Sequence, residues 1–543
     1  MKTQKVKMNQ FFFTIVCLIA LMIPSTLFSK NKIKKIEDTD IRFSPKWTED
    51  GTPFKHSWEG YVSIDQAFWL QHTAVQSQIA MAHKDLKAKN LRTVSMLDDN
   101  MRVWANDPKT WRDKDRKPRM NFRMLDEAFQ LLLDNGVNPV VGFNFMPKKM
   151  AVSDIDVFKT GSSAPPRDYN EWELLVSSLT QHLIEHFGVD VVKKWDFESW
   201  NEPNLNYFWK DANKDEFFKL WAITYKAIKS VNSEIRIGGP STARAEWIPD
   251  FIEFSRKNNC EPDYIIVHIY NNDSEFAALS PFDGPQTDKI NHSPHYVAAV
   301  VKGARKQMND LGYKGELHFN EWGSSWFPTD ETRETPNEAA FIAMTMANCS
   351  QYVDRMTYWC LSDHFDQSGY AAEAFYGGYG MLSMDGLKKP SYKVHELLSM
   401  LGNKQLPFSS VNTSQLQNAI ATKSANGYQF LYYSYEKDSV SNRIIVNKKT
   451  VSLVLPKDVS KNNISVYKIG RVENNILYQW EKMNKPTYLK KEQLIALKKH
   501  NELEKCTEDK YELTETKEGK VLTFETESSG VVFVEITNSS SAN

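Results

Sequence analysis

Cysteine is scarce in this chain: 543 residues carry five, and no two stand in a C-x-x-C spacing. That removes a disulfide framework and a cysteine-based metal site from consideration. An excess of charge is missing too. The chain has 67 basic and 68 acidic side chains, a net charge of −1, which gives nucleic acid or an anionic membrane no electrostatic hold. A glycine-rich turn after the first apolar strand is also lacking, which argues against a dinucleotide-binding fold. Long apolar runs are absent but for one stretch at residues 11–23, short of the roughly 20 residues that cross a bilayer. Lys2, Lys5 and Lys7 precede it, and Pro24, Ser25, Thr26 and Ser29 follow. Basic, then apolar, then small is the order of a secretory signal peptide. Residues 1–29 are therefore expected to be removed and the protein to be secreted or periplasmic, an uncleaved signal anchor being the alternative. Cys17 leaves with that segment, and Cys260, Cys349, Cys360 and Cys506 remain, too scattered for a framework.

What is present describes a soluble globular protein of more than one domain, 41% hydrophobic and 25% charged. Aromatic residues reach 12%, with fifteen Trp. Large cores account for most of them, and flat apolar rings also suit the C–H face of a sugar. From about residue 60 to 400, short β-rich runs alternate with segments of helical period. The runs lie at 61–64, 91–96, 139–145, 195–200, 235–238, 264–269, 316–321 and 356–361. Between them, Leu125, Phe129, Leu132 and Leu133 form one helical stripe, ended by Asn135-Gly136, and Phe217, Leu220, Trp221, Tyr225 and Ile228 form another. Eight apolar strands alternating with helices predict a (β/α)8 TIM barrel over residues 60–400. Beyond 400 the pattern is short strands without crossover helices, at 428–435, 443–446, 451–455, 464–469, 521–524 and 531–536. These predict a β-sandwich over 401–543, interrupted by a lysine-rich helix at 490–499 whose charges face solvent. Residues 30–59 read as a polar lead-in able to add a strand to the sandwich.

Barrel enzymes carry their chemistry where the strands end at the C-terminal face. The fourth predicted strand runs into Asn201-Glu202-Pro203, and the seventh ends at Glu321. Asn-Glu-Pro alone arises by chance in about one chain in fifteen of this length. Its position at the fourth of eight strands, with a second glutamate at the seventh, makes chance a poor account. Two carboxyls across one barrel mouth fit glycoside hydrolysis, which needs one carboxyl protonated to assist the leaving group and one ionised to meet an oxocarbenium-like centre. No metal or organic cofactor is implied, since two carboxyls suffice.

The motifs SWNEPNL at 199–205, followed by Phe208-Trp209, and NEW at 320–322 resemble glycoside hydrolase family 39 of the clan A retaining hydrolases, which contains β-xylosidases and α-L-iduronidases. Further similar segments are LDDNM at 97–101, FMPKKM at 145–150, IGGPSTA at 237–243, HIY at 268–270, YGGYGMLSMDGLKKPSY at 376–392 and ILYQWEKMNKPTYLKKEQLIALKK at 476–499. Together they cover roughly residues 60 to 540. The resemblance implies Glu202 as catalytic acid/base, Glu321 as nucleophile, and Asn201 as the partner of a sugar 2-hydroxyl. It also implies His268 and Tyr270 beside the nucleophile, with Tyr270 lowering the pKa of Glu321, and Phe208 and Trp359 as aromatic walls of the sugar site. The C-terminal segment and the NEPNL form are closer to the β-xylosidases, which implies release of xylose from an oligosaccharide or polysaccharide-derived substrate.

Three positions depart from the family pattern. Arg92-Thr93-Val94 stands where the family's β-xylosidases usually have Arg-Phe-His, so a histidine contact to the sugar is absent. Asn320 replaces a common Thr, and Gly323-Ser324-Ser325 differs from the usual sequence after the nucleophile. They leave open an α-L-iduronidase or an arabinose- or galactose-directed member, and, from another class, a non-catalytic sugar-binding barrel. An iduronidase would place cations at the sugar carboxylate, for which Arg244 and Lys148 are the candidates. No interface reads from the sequence, so oligomeric state stays open.

Overall fold

The computed structural model describes residues 41–106, 118–273, 293–367, 369, 371–436, 447–517, 519–527 and 529–538. The segment 1–29, the strand expected at 443–446 and the last five residues, 539–543, lie outside those residues. Eight parallel strands follow one another in chain order around one sheet: β1 (Tyr61–Gln66), β2 (Asn90–Val94), β3 (Asn138–Gly142), β4 (Asp196–Glu198), β5 (Arg236–Thr242), β6 (Tyr264–Tyr270), β7 (Glu316–Gly323) and β8 (Arg355–Tyr358). The ring closes where Ser63 Oγ donates to the Tyr358 carbonyl at 2.9 Å and Leu361 N donates to the Ser63 carbonyl at 2.7 Å. A helix follows each strand: α1 (Thr73–Leu86), α2 (Arg123–Asp134), α3 (Tyr169–Phe187), α4 (Lys214–Val231), α5 (Ile248–Lys257), α6 (Tyr296–Asp310), α7 (Pro336–Cys349) and α8 (Pro390–Ser399). This is the (β/α)8 barrel that the alternation predicts.

The helices form where the stripes say they should. Leu125, Phe129 and Leu132 of α2 are buried, and the chain turns out of that helix at Gly136, whose φ of 75° suits glycine. α4 begins at Asn213, whose side chain accepts from Glu216 N at 3.1 Å, an N-cap that satisfies one orphan donor. Several predicted strands run past the observed ladder at the mouth end. There the backbone leaves its neighbours for side-chain partners: Ser95 N, for example, donates to Asn144 Oδ1 at 2.7 Å.

The C-terminal strands make two facing sheets. One has the order Phe408–Val411, Ile41–Pro45, Lys448–Val454, Gly519–Glu527, Tyr511–Thr516, and the other Thr52–Pro53, Lys404–Gln405, Gln417–Ser424, Gly427–Ser434, Gly530–Thr537, Ile464–Ile469. Ile41–Pro45 pairs between two strands of the first sheet, so the N-terminal lead-in does complete the sandwich. Phe408–Val411 and Tyr511–Thr516, not expected from the sequence, are half-exposed edges with little apolar signal. The continuous apolar runs have a physical reason. Phe430, Tyr432, Val532 and Val534 face the sandwich core, while Leu431, Tyr433, Val531 and Phe533 join the barrel core. Both faces of this sheet are buried, so both phases of the alternation are apolar. α7 packs against it, with Phe341 and Tyr435 rings 5.9 Å apart, and is buried nearly all round. The lysine-rich segment is a helix over Lys491–Lys498 that turns Leu497 onto Ile476 and Trp480 and leaves its lysines outward. Among the described residues no helix is long and apolar enough to cross a membrane.

Candidate active site

A fully buried cation lies in the barrel interior. Arg92 of β2, 1% exposed, donates through Nε and NH2 to the two carboxylate oxygens of Glu198 at 3.0 and 2.9 Å. Its NH1 reaches Glu321 Oε2 at 2.9 Å, and NH2 also reaches Asn201 Oδ1 at 2.6 Å. A guanidinium buried at such depth persists because its fork is satisfied on every side. Asn320 completes the far side, donating from Nδ2 to Glu198 Oε2 at 2.7 Å. Asn320 and Glu321 are consecutive, yet both reach the interior. In β7 the register against β6 slips by one residue between Phe319 and Glu321, so Asn320 is a bulge, and a bulge re-aims the next side chain.

Glu202 enters from the loop after β4. Its φ of 47° is left-handed for a non-glycine residue, and its N–H is fixed on the Ser241 carbonyl at 2.8 Å. His268 of β6 lies between the two glutamates, with Nδ1 3.0 Å from Glu202 Oε1 and 3.6 Å from Glu321 Oε2. Its Nε2 lies 3.4 Å from Arg92 NH2, which only donates. Nε2 is therefore the acceptor and Nδ1 carries the proton that Glu202 receives. Burial drives the imidazole down to about 4, so it is neutral at working pH. An oxygen of Glu202 and one of Glu321 lie within 4.8 Å of each other.

The two carboxyls sit in different electrostatic settings. Burial pushes Glu202 up to about 7, against a weaker pull from Arg92 and Arg244. Glu321 is also raised by burial and by the neighbouring Glu202, but the Arg92 charge and the Tyr270 hydroxyl at 2.8 Å oppose it. The hydrogen bond expected from Tyr270 is thus present and acts downward, yet the net displacement of Glu321 is upward because desolvation exceeds it. Both carboxyls are raised by burial, and two donors, Arg92 and Tyr270, sit on the oxygens of Glu321 and favour its ionised form. The same oxygens could face a divalent ion, but Arg92 already supplies the positive charge there.

All seven residues singled out from the sequence — Asn201, Glu202, Phe208, His268, Tyr270, Glu321 and Trp359 — line one cavity of about 550 Å³. Asn201 has its carbonyl end engaged by Arg92, so it meets a ligand with its amide N–H groups. The Arg92 guanidinium lies over the Trp359 ring, 5.6 Å from its centroid, and Phe208 stacks on Phe145 at 5.6 Å. Val94 lines the cavity with a methyl face at the position of the absent histidine. Arg244 reaches the cavity but spends Nε on Glu246 at 2.8 Å, whereas Lys148 pairs with Asp154 and Asp156 and does not line it. Sequence reasoning missed Arg92, Glu198 and Asn320 as site residues. The available signal was a charge inside an otherwise apolar strand, which must find a partner when buried.

A model of Glycosyl hydrolases family 39 matches residues 42–514. The chain belongs to that family. It is a glycosidase that hydrolyses O-glycosyl bonds. Among curated relatives of this family 39 glycosidase, a beta-xylosidase of Caldicellulosiruptor saccharolyticus is 30% identical over 432 residues, 79% of this chain and 85% of that protein. A beta-xylosidase of Geobacillus stearothermophilus is 30% identical over 357 residues, 65% of this chain and 70% of its own length. A solved structure of a monomeric beta-xylosidase from Caulobacter crescentus CB15 superposes with a TM-score of 0.78 at 24% identity, covering 92% of this chain and 99% of that one, and establishes likeness of fold.

Proposed function

We propose that the protein is a retaining, exo-acting β-xylosidase that releases xylose from xylo-oligosaccharides, with Glu321 as nucleophile and Glu202 as acid/base. The observation that carries the mechanism is the spacing: carboxylate oxygens within 4.8 Å suit direct attack by the second carboxylate. An inverting pair stands about 6.5–9.5 Å apart to admit a water. In the first step Glu321 attacks the anomeric carbon as Glu202 gives its proton to the departing glycosidic oxygen, leaving a covalent glycosyl-enzyme. Glu202, now ionised, then takes a proton from water as that water attacks the anomeric carbon and frees the Glu321 carboxylate. Asn201 offers its amide to the sugar 2-hydroxyl, Phe208 and Trp359 wall the ring, and His268 orients Glu202.

Xylose as the released sugar is supported by two relatives named as beta-xylosidases at 30% identity. A cavity of about 550 Å³ between aromatic walls suits a chain end better than a polymer passing through. An α-L-iduronidase is the second reading, favoured by Arg244 at the cavity wall, although Glu246 engages that side chain. Hydrolysis of nitrophenyl glycosides of xylose, arabinose, galactose and iduronic acid separates these readings, with the xyloside expected to be fastest. Proton NMR of the first-formed product is expected to show retained configuration, and inversion would remove Glu321 from its role. Export is a further part of the proposal, resting on the order of Lys2, Lys5, Lys7 and the apolar stretch 11–23. N-terminal sequencing of protein recovered outside the cytoplasm is expected to begin near residue 30.

A further inference from the structure

On the outside of the barrel, two histidines and a carboxylate meet without a role in the active site. His182 and His186 stand four residues apart on α3 and so share a face. Their rings lie 5.6 Å apart and only 18° from parallel. Asp126 of α2 brings Oδ1 to 2.7 Å from His182 Nε2. One ligand atom from each of the three lies within 4.8 Å of the others. Phe122 packs on His182 with ring centroids 4.9 Å apart, and Phe187 meets the His186 ring edge-on at 4.6 Å. Asp126 and His182 are partly buried, with side chains 17% and 30% exposed, while His186 is open to solvent. Among the described residues, Asp126 has no lysine or arginine partner.

We propose that Asp126, His182 and His186 form a zinc site that ties α2 to α3, with water completing the coordination. Two imidazoles and one carboxylate are a donor set that suits Zn²⁺. Ligands about 2.0–2.2 Å from a tetrahedral ion stand roughly 3.3 Å from each other. Two of the three atoms are already closer than that, and rotation of the exposed His186 brings in the third. Simpler roles exist for the parts: an Asp126–His182 hydrogen bond, and His186 as a ring packed against Phe187. Those roles use each histidine separately, and neither calls for the two rings to share a face with the carboxylate. None of the three residues lines the catalytic cavity, so this site is separate from the glycosidase chemistry.

The test is calorimetric titration of untagged, EDTA-washed full-length protein with Zn²⁺, alongside His186→Ala and Asp126→Asn. His186 is exposed, so its truncation leaves folding and glycosidase activity unchanged. The expected result is a zinc equivalent whose affinity falls roughly 10-fold or more in each variant, since even an outer partner of a ligand is worth about that much. Copper(II) bound at the same site should show nitrogen splitting from two imidazoles in its electron paramagnetic resonance spectrum, reduced to one in His186→Ala. Zinc affinity unaltered by His186→Ala, or no zinc binding by the wild type, would overturn the proposal.

Discussion

Replacing Arg92 by Met tests how the site is organised more directly than removing either glutamate. The change keeps most of the aliphatic stem and deletes the charge that touches Glu198, Glu321 and Asn201. Removing one partner from a buried ion pair costs about 3–5 kcal/mol, because the other charge is stranded. Here, among the described residues, Glu198 retains only the Asn320 amide, so the loss should fall in that range. The catalytic consequence has a definite sign. Under the proposed roles Glu321 attacks as a carboxylate, and burial already holds its pKa above the ordinary value. Arg92 pulls that pKa down, so its removal raises it further and activity is lost at a higher pH as the solution is acidified. A displacement of one unit corresponds to 1.36 kcal/mol of lost charge stabilisation, and about one unit or more is expected for a contact this close. Urea unfolding gives the stability change, and kcat/KM against pH for nitrophenyl xyloside gives the acid limb. Arg92→Lys, with its charge but not its fork, should recover part of the limb position and less of the stability. An acid limb unmoved in Arg92→Met would refute the argument that this cation sets the ionisation of Glu321.

Other expectations follow from the same geometry. Glu321→Gln should abolish turnover, while Glu202→Ala should retain far more activity on aryl glycosides with good leaving groups than on xylobiose, because those depart with little protonation. Glu202 must be protonated to act as an acid, so with its pKa near 7 the basic limb of kcat/KM should fall near pH 7. Arg244→Met should move that limb upward, since the Arg244 charge favours the ionised form of Glu202. Arg333 is buried and donates to the carbonyls of Ser325, Phe327 and Gly377 at 2.9, 2.6 and 2.8 Å, with Tyr379 under its guanidinium at 4.0 Å. It fixes the wall carrying Trp326 and Tyr379, so Arg333→Lys should raise KM several-fold more than it lowers kcat, measured on xylo-oligosaccharides.

The barrel is legible because its strands are buried on both faces and most of its helices on one, so period and length separate them even where boundaries slip. The proposed catalytic pair is legible because each glutamate sits at a strand end in a short motif. Arg92 is harder. Its partners are 106 residues away at Glu198 and 229 away at Glu321, and no local pattern encodes a contact of that range. Read in isolation, Arg92-Thr93-Val94 looks like a loss, a triplet without its histidine. In the fold, Arg92 is the centre of the polar network and Val94 only one apolar patch of wall. The edge strands Phe408–Val411 and Tyr511–Thr516 escape notice for the opposite reason: pairing on one side and exposure on the other leave them no apolar alternation to detect.

Two backbone irregularities convert this scaffold into a site. Without the bulge at Asn320, one-to-one alternation would send either Asn320 or Glu321 outward, and either Glu198 would lose its amide or Arg92 its second carboxylate. Without the left-handed backbone at Glu202, that side chain would not turn back from its loop onto His268. Each irregularity is held by a specific contact: Asn320 by Glu198 of the Arg92 network, and Glu202 by the Ser241 carbonyl of β5. Strain of this kind, on the order of 1–3 kcal/mol per residue, persists only where surrounding contacts over-determine it. The network around Arg92 therefore does two things at once. It lowers proton affinities that burial raises in both Glu202 and Glu321, and through Glu198 it holds the bulge that aims Glu321 at Arg92.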